Sequence, residues 1–168
     1  VYLLTYIFNS GEVADSFAEE LTAAVQRGVD VRILLDGLGR FYSFRTPVRK
    51  IAKAGARVAY FLPPRLFPPN LMINLRDHRK LLVCDDVAFT GGMNIADRYR
   101  DGVPWGIWRD THILIEGPAV QGLQSSFAVD WCFTSRQLLS EKLYFPVVAP
   151  KGNTCIQIIT SGPIGEWK

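Results

Sequence analysis

The run Asp77-His78-Arg79-Lys80-Leu81-Leu82-Val83-Cys84-Asp85 sets an imidazole, an ammonium and a carboxylate in the order H-x-K-x-x-x-x-D, and Gly91-Gly92-Met93-Asn94 follows it. Attack on a phosphodiester needs such a set: a nucleophile or proton carrier, with fixed donors for the phosphoryl oxygens. His78 is one of only two histidines in the chain, and the run occurs once. Side chains two apart on extended backbone share a face, so His78 and Lys80 can converge on one ligand. The apolar Leu81-Leu82-Val83 predicts a buried strand, whose low dielectric strengthens attraction between Lys80 and a phosphate. Asp85 has the opposite parity and is expected to brace backbone rather than touch substrate. Gly91 and Gly92 permit close backbone approach, with peptide N–H groups that can face an anion. Asn94 adds a neutral donor at the expected start of a short helix, where the dipole favours negative charge. A reactive imidazole is usually held in one tautomer by a carboxylate. Asp110, in Trp108-Arg109-Asp110-Thr111, is the favoured candidate, while Asp77 and Asp86 read as solvated loop acids. Taken singly, each piece has an ordinary reading as surface histidine, turn glycine or capping asparagine; only the ordered set points to chemistry. His112, mid-strand with no basic residue two positions on, reads as structural.

The elements that must position these residues alternate in type. Val1–Phe8 reads as a buried strand, and Asn9-Ser10-Gly11-Glu12 as capping chemistry for a helix. Val13, Phe17, Leu21 and Val25 fall on one face of that helix, which stops at Gly28. Val29–Leu35 predicts a second strand closed by Asp36-Gly37, Pro47–Ala54 a short basic helix ending at Gly55, and Arg57–Leu62 a third strand. This β-α-β-α-β order implies parallel strands with right-handed crossovers. Pro63–Asn74 carries four prolines and the apolar Leu66, Phe67, Leu71 and Met72. It reads first as a lid packed on its own domain, with a lip facing lipid as the alternative. Leu81–Cys84 and Val87–Thr90 are expected to form a hairpin around Asp85-Asp86. Ile107–Ile115 predicts a further strand. Pro118 opens a long amphipathic helix with Val120, Leu123, Phe127 and Trp131 on one face, and Cys155–Thr160 predicts a last strand. The fold class expected is α/β: a mixed, largely parallel sheet flanked by helices on both faces, in a single domain spanning 1–168.

The 168 residues, 48% hydrophobic, suffice for one proper core. Starting at Val1 without an initiator Met, the chain reads as a segment of a longer protein. It shows no signal peptide and no apolar run long enough to span a bilayer, so any membrane anchor would lie outside it. The net charge of +3 suits phosphate ligands or anionic surfaces. It falls short of what duplex binding draws on, so nucleic acid is not the expected partner. Cys84, Cys132 and Cys155 lack the spacing of a zinc site or a disulfide framework and read as buried thiols in a reducing compartment.

The ordered set His78, Lys80, Asp85, Gly91, Gly92 and Asn94 resembles the signature of the phospholipase D superfamily, and more narrowly the first half of a bacterial-type cardiolipin synthase. Arg27-Gly28-Val29-Asp30-Val31-Arg32, Thr90-Gly91-Gly92-Met93-Asn94-Ile95-Ala96, Trp108-Arg109-Asp110-Thr111-His112, Glu116-Gly117-Pro118-Ala119-Val120 and Asp130-Trp131 carry the narrower likeness. The resemblance implies two copies of the motif meeting at one site, one histidine attacking phosphorus and the other protonating the leaving alcohol. It implies His78 as nucleophile or general acid, Lys80, Gly92 and Asn94 at the phosphate, and Asp110 orienting His78, with no metal or other cofactor. Many members carry Ser where Gly92 stands; Gly there fits the cardiolipin-synthase-like enzymes. The implied substrate is a phospholipid, phosphatidylglycerol above all, and the implied location is the cytoplasmic face of a bacterial inner membrane. The second motif is missing from this chain. A C-terminal half of the parent or a homodimer partner is expected to supply it. The reactions implied are phosphatidyl transfer, with phospholipase D hydrolysis or a metal-independent endonuclease as alternatives. A half-domain inactive alone, serving as scaffold for its partner half, is the alternative of another class.

Overall fold

The computed structural model describes residues 1–39, 47–66, 69–70, 75–104, 106, 108–140 and 144–160, the backbone alone at 65–66 and 69–70. Strand β1 (Tyr2–Thr5) is followed by α1 (Glu12–Gln26), β2 (Arg32–Asp36), α2 (Val48–Ala54) and β3 (Arg57–Phe61). A small antiparallel ladder, β4 (Arg65–Leu66) with β5 (Pro69–Asn70), precedes β6 (Leu81–Cys84), β7 (Val87–Gly91), β8 (His112–Glu116) and α3 (Ala119–Ser135). Phe67, Leu71 and Met72, the apolar residues of the expected lid, lie outside the described residues, as does the side chain of Leu66.

The main sheet has the order β3-β2-β1-β6-β7-β8. Its first half is the expected parallel unit, with β1 against β2 and β2 against β3. Its second half is antiparallel throughout: β6 runs against β1, β7 against β6, and β8 against β7. The sheet is therefore mixed and only partly parallel, not largely so. The placements of β6 beside β1 and of β8 beside β7 follow long connections that leave strand direction open. The two-residue Asp85-Asp86 connection dictates the remaining pairing, because it can join only antiparallel neighbours. Asp85 takes the left-handed conformation that such a turn demands, with φ 53°.

Helices cover both faces. Ala14, Ala18, Leu21 and Ala24 of α1, with Val48 and Ile51 of α2, pack on Leu3, Ile33 and Leu35. Three alanines on the inner side of α1 let its axis approach the strands closely. On the other face, Val120, Phe127 and Trp131 of α3 meet Tyr2, Leu4, Leu34 and Val83. Each such large side chain contributes about 1.5–3 kcal/mol on burial. The polar Gln124 and Asp130 are buried on the same helix.

Several expected strands are shorter or absent: Val1–Phe8 reduces to Tyr2–Thr5, and the strand expected from Val29 begins at Arg32. Ile107–Ile115 reduces to His112–Glu116, with Ile107 outside the described residues. Cys155–Thr160 forms no strand: β-branched residues favour a sheet only where a partner strand is free, and here Ile158 rests against Gly122 of α3 instead. Among the described residues, no helix is long and apolar enough to cross a membrane. Cys155 is exposed, and Cys84 and Cys132 are half-buried, so the expected burial of all three thiols does not hold.

Candidate phosphoryl site

The site gathers where β1 ends and β6 begins. Beyond Thr5 the chain leaves the sheet, and residues 6–9 are held by the segment following β7. The Ile7 N–H donates to Asn94 Oδ1 at 3.0 Å, the Asn9 N–H to the Ile95 carbonyl at 2.9 Å, and the Ile95 N–H to the Ile7 carbonyl at 3.2 Å. Gly39 passes directly over the Tyr6 carbonyl, where a Cβ would overlap that oxygen. Tyr6 is thereby fixed in the middle of the site. Its ring stacks on the His78 imidazole with centroids 4.1 Å apart and planes 26° from parallel. The Lys80 ammonium lies 5.8 Å from the same ring. Tyr6 thus brings the imidazole and the ammonium onto one platform, although residues 75–80 form no regular strand. Nothing in the sequence singled Tyr6 out.

His78 is exposed and Lys80 half-buried. The Lys80 Nζ donates to the His78 carbonyl. Burial lowers the Lys80 pKa from its ordinary value, while the charges of Asp110 and Asp77 work in the opposite direction.

The backbone carrying these two residues is clamped from beneath by acids. Asp36, at the end of β2, is buried and accepts from the Asp77 N–H at 3.0 Å, the Leu38 N–H at 2.8 Å and Arg76 Nη1 at 3.3 Å. Asp77 is not the solvated loop acid expected: it is 5% exposed. Its carboxylate accepts from Arg79 Nε at 2.9 Å and Nη2 at 3.0 Å, a two-pronged pair. Arg79 points to the opposite side from its neighbours, donating to Ser126 and pairing with Asp130, both on α3. Burial pushes the Asp130 carboxyl up to about 6, against the pull of Arg79. One guanidinium therefore ties the motif to the helix behind the sheet.

The remaining expected residues fall in two places. Asp85 sits in the β6–β7 turn, at the opposite end of β6 from Lys80. Four strand residues of about 3.3 Å each separate them, and the structure does not bring Asp85 to His78. Its charge reaches the chain's amino terminus instead. Asn94 is not at a helix start; the three-residue 3-10 turn begins at Asp97. Its Oδ1 serves Ile7, and its Nδ2 donates to the Tyr99 hydroxyl at 2.9 Å, leaving one N–H of the amide. Gly92 abuts Asp110, whose carboxylate a Cβ at that position would overlap. Asp110 itself is exposed and accepts from the Thr111 N–H at 2.7 Å. Its charge acts on Lys80 and His112. Among the described residues, no hydrogen bond joins it to His78. Asp86 is paired with Lys151 at 2.9 Å, far from the imidazole on the β6–β7 turn.

Beside this platform lies a cavity of about 520 Å³ under α1 and over β6 and β7. Leu82, Phe89, Phe17 and Ile95 are among its apolar walls, and Lys80, Asn94, Arg100 and His112 supply its polar rim. Among the described residues, no group of acidic, histidine and cysteine side chains could hold a metal ion. The arrangement can bind an anionic group at Lys80 and present an imidazole to it. An apolar hollow adjoins that position.

Residues 1–131 match the family model described as "Cardiolipin synthase, PLD-like domain". The chain is 38% identical over 172 residues to the major cardiolipin synthase ClsA of Bacillus subtilis, and 35% identical to a cardiolipin synthase of Listeria welshimeri. All of the chain is covered in each case, and 36% of the relative, so it spans about a third of the length of the curated relatives it matches. Its fold is similar to that of NucT from Helicobacter pylori, with a TM-score of 0.58, 13% identity and 79% of each chain covered.

Proposed function

From a chain that belongs to the family of cardiolipin synthase PLD-like domains, we propose one half of a phosphatidyl-transfer site. The reading draws its main support from one observation: His78 and Lys80 share the Tyr6 platform, and Lys80 also lines the largely apolar cavity beside it. A phospholipid has matching parts, a phosphodiester for the cation and the imidazole and acyl chains for the hollow.

In this proposal the imidazole of one motif attacks phosphorus, forming a P–N bond as the P–O bond to the leaving glycerol breaks. The imidazole of a second motif, from outside this segment, delivers the proton to that oxygen. The same second imidazole then takes a proton from the incoming alcohol of another phosphatidylglycerol, which displaces the first imidazole and yields cardiolipin. Two displacements with a covalent intermediate replace one difficult exchange. Lys80 and the free N–H of Asn94 hold the phosphoryl oxygens, and their fixed positions stabilise charge without reorganisation. Gly92, whose N–H is bonded to the Thr111 carbonyl at 3.0 Å, serves the phosphate end by lacking a side chain where the Asp110 carboxylate must sit. Asp110 stays in the proposal as the carboxylate of the set, acting from its present position on Lys80 and, once substrate and second motif close the site, on the imidazole. Asp85 shapes the turn that sets the β6–β7 register.

The test uses the full-length protein carrying this segment, in vesicles of phosphatidylglycerol with EDTA present. Mass spectrometry follows cardiolipin and glycerol, and acid quench traps phosphohistidine. Cardiolipin forms with the native residue, and His78→Ala abolishes it while the fold survives. Turnover unaffected by His78→Ala, or cleavage of plasmid DNA with no lipid product, would overturn the proposal.

A further inference from the structure

His112 read as structural in the sequence, yet the strand register places it across from Lys80. Leu81 pairs with Thr90, so the next position outward sets Lys80 opposite Gly91, and the Thr90 hydroxyl donates to the Lys80 carbonyl at 2.9 Å. Gly91 in turn pairs with His112. Directly paired residues on neighbouring strands share a face. Lys80, Gly91 and His112 therefore form a row of three, with adjacent backbones about 4.8 Å apart. The central position has no side chain, and a Cβ there would run into the His112 ring and the Thr111 carbonyl. The missing side chain lets the His112 ring lean over Gly91, with the two outer α-carbons of the row roughly 10 Å apart. Lys80 and His112 both line the cavity described above.

The imidazole is held in one form. The Met93 N–H donates to His112 Nδ1 at 3.3 Å, so Nδ1 is the acceptor and the proton sits on Nε2. Burial holds the His112 pKa below its ordinary value; Asp110 opposes it, and Lys80 adds a smaller lowering. Arg100, on the rim of the same cavity, is already engaged by Glu12 and Asp101. Among the described residues, no acceptor is bonded to Nε2. A ring that served only to prop the Met93 turn would use Nδ1 alone and have no need to line the cavity beside Lys80.

We propose that His112 is a second, uncharged ligand of the phosphoryl group, donating its Nε2–H into the cavity that Lys80 also lines. This inference rests on the phosphodiester reading above and adds a residue to it. A neutral donor suits this position: a second cation would compete with Lys80 for Asp110, whereas an imidazole N–H adds a hydrogen bond and leaves the charge balance unchanged.

The experiment reads the two imidazoles of the isotope-labelled chain directly. Long-range proton–nitrogen correlation at pH 7 assigns them, with His78→Ala identifying His112, and inorganic phosphate is then titrated in. His112 is expected in the Nε2–H form before phosphate is added, with a saturable shift of Nε2 that tracks the shift of the Lys80 ammonium. His112→Gln, which keeps a donor, should hold phosphate affinity within about threefold, whereas His112→Phe should lose about tenfold or more with thermal unfolding unchanged. A proton on Nδ1, or a Lys80 response with none at His112, overturns this inference alone. Equal losses in the Gln and Phe variants, both still folded, do the same. No response at either residue overturns the phosphate-binding reading along with it.

Discussion

Replacing Arg79 by Met should cost more stability at neutral pH than at pH 5. The guanidinium sits between two carboxylates whose side chains are 3% (Asp77) and 12% (Asp130) exposed, while its own side chain is 44% exposed. Breaking a fully buried pair from one side costs about 3–5 kcal/mol; solvent access on the Arg79 side reduces this to about 2–3 kcal/mol at pH 7. The pH dependence follows from Asp130. Its folded-state pKa is raised by burial to about 6 from 3.8. The native state therefore holds this proton to higher pH than the unfolded chain does. The stabilisation is complete below 3.8 and is lost as pH rises through about 6. Without Arg79 the carboxyl is held still higher, so acidifying to pH 5 neutralises it and shrinks the deficit to about 1 kcal/mol. Urea unfolding of Arg79→Met and the native chain at pH 7 and pH 5 measures the difference. The double variant Arg79→Met/Asp130→Asn should recover about 1 kcal/mol of the single variant's loss at pH 7. An equal loss at both pH values, or a loss under about 0.5 kcal/mol at pH 7, would show that the clamp beneath the motif is not electrostatic.

Two further perturbations probe the same scaffold. Asp97 accepts from the Glu12 and Val13 N–H groups at 3.1 and 2.8 Å, capping α1 from 85 and 84 residues away. Asp97→Ala should cost about 1–2 kcal/mol and lower Tm by about 3–6 °C in differential scanning calorimetry; a change under about 1 °C would remove Asp97 from the role of cap. Tyr6→Leu should lower kcat of the full-length enzyme about three- to tenfold through loss of the stack on His78, and Tyr6→Phe should fall less. Equal impairment in the two variants would mean that the hydroxyl, not the ring, is what His78 requires.

Much of the fold was legible because it is written in local pattern. The four-residue spacing in α1, the apolar face of α3 and the Asp85-Asp86 turn are each decided within a few residues of chain. Strand direction was not: a buried strand reads the same whichever way it runs, so the antiparallel insertion of β6 beside β1 left no mark in the pattern. The site divides along the same line. His78 and Lys80 announce themselves by type and spacing. Asp36, 41 residues before the Asp77 amide it holds, and Tyr6, seventy-two positions before its stacking partner, act through space and carry no local signal. Asp77 was misread for the same reason, since its burial depends on partners supplied by distant elements. His112 had a signal of a different kind: its pairing with the glycine that lies opposite the lysine, which appears only once the register is known.

The guanidinium of Arg32 is wholly buried in β2, bonded to Asp30 at 2.9 Å, Gln137 at 2.7 Å and the Tyr144 hydroxyl at 3.2 Å, with the Trp131 ring 5.3 Å from it. Two of those partners, Gln137 and Tyr144, lie beyond α3 and outside any described helix or strand. A protein engineer trimming the chain at the end of α3 would cut away two of the three acceptors of a wholly buried charge. The apparent tail is thus a closing latch, and the shortest self-sufficient version of this unit extends at least through Tyr144.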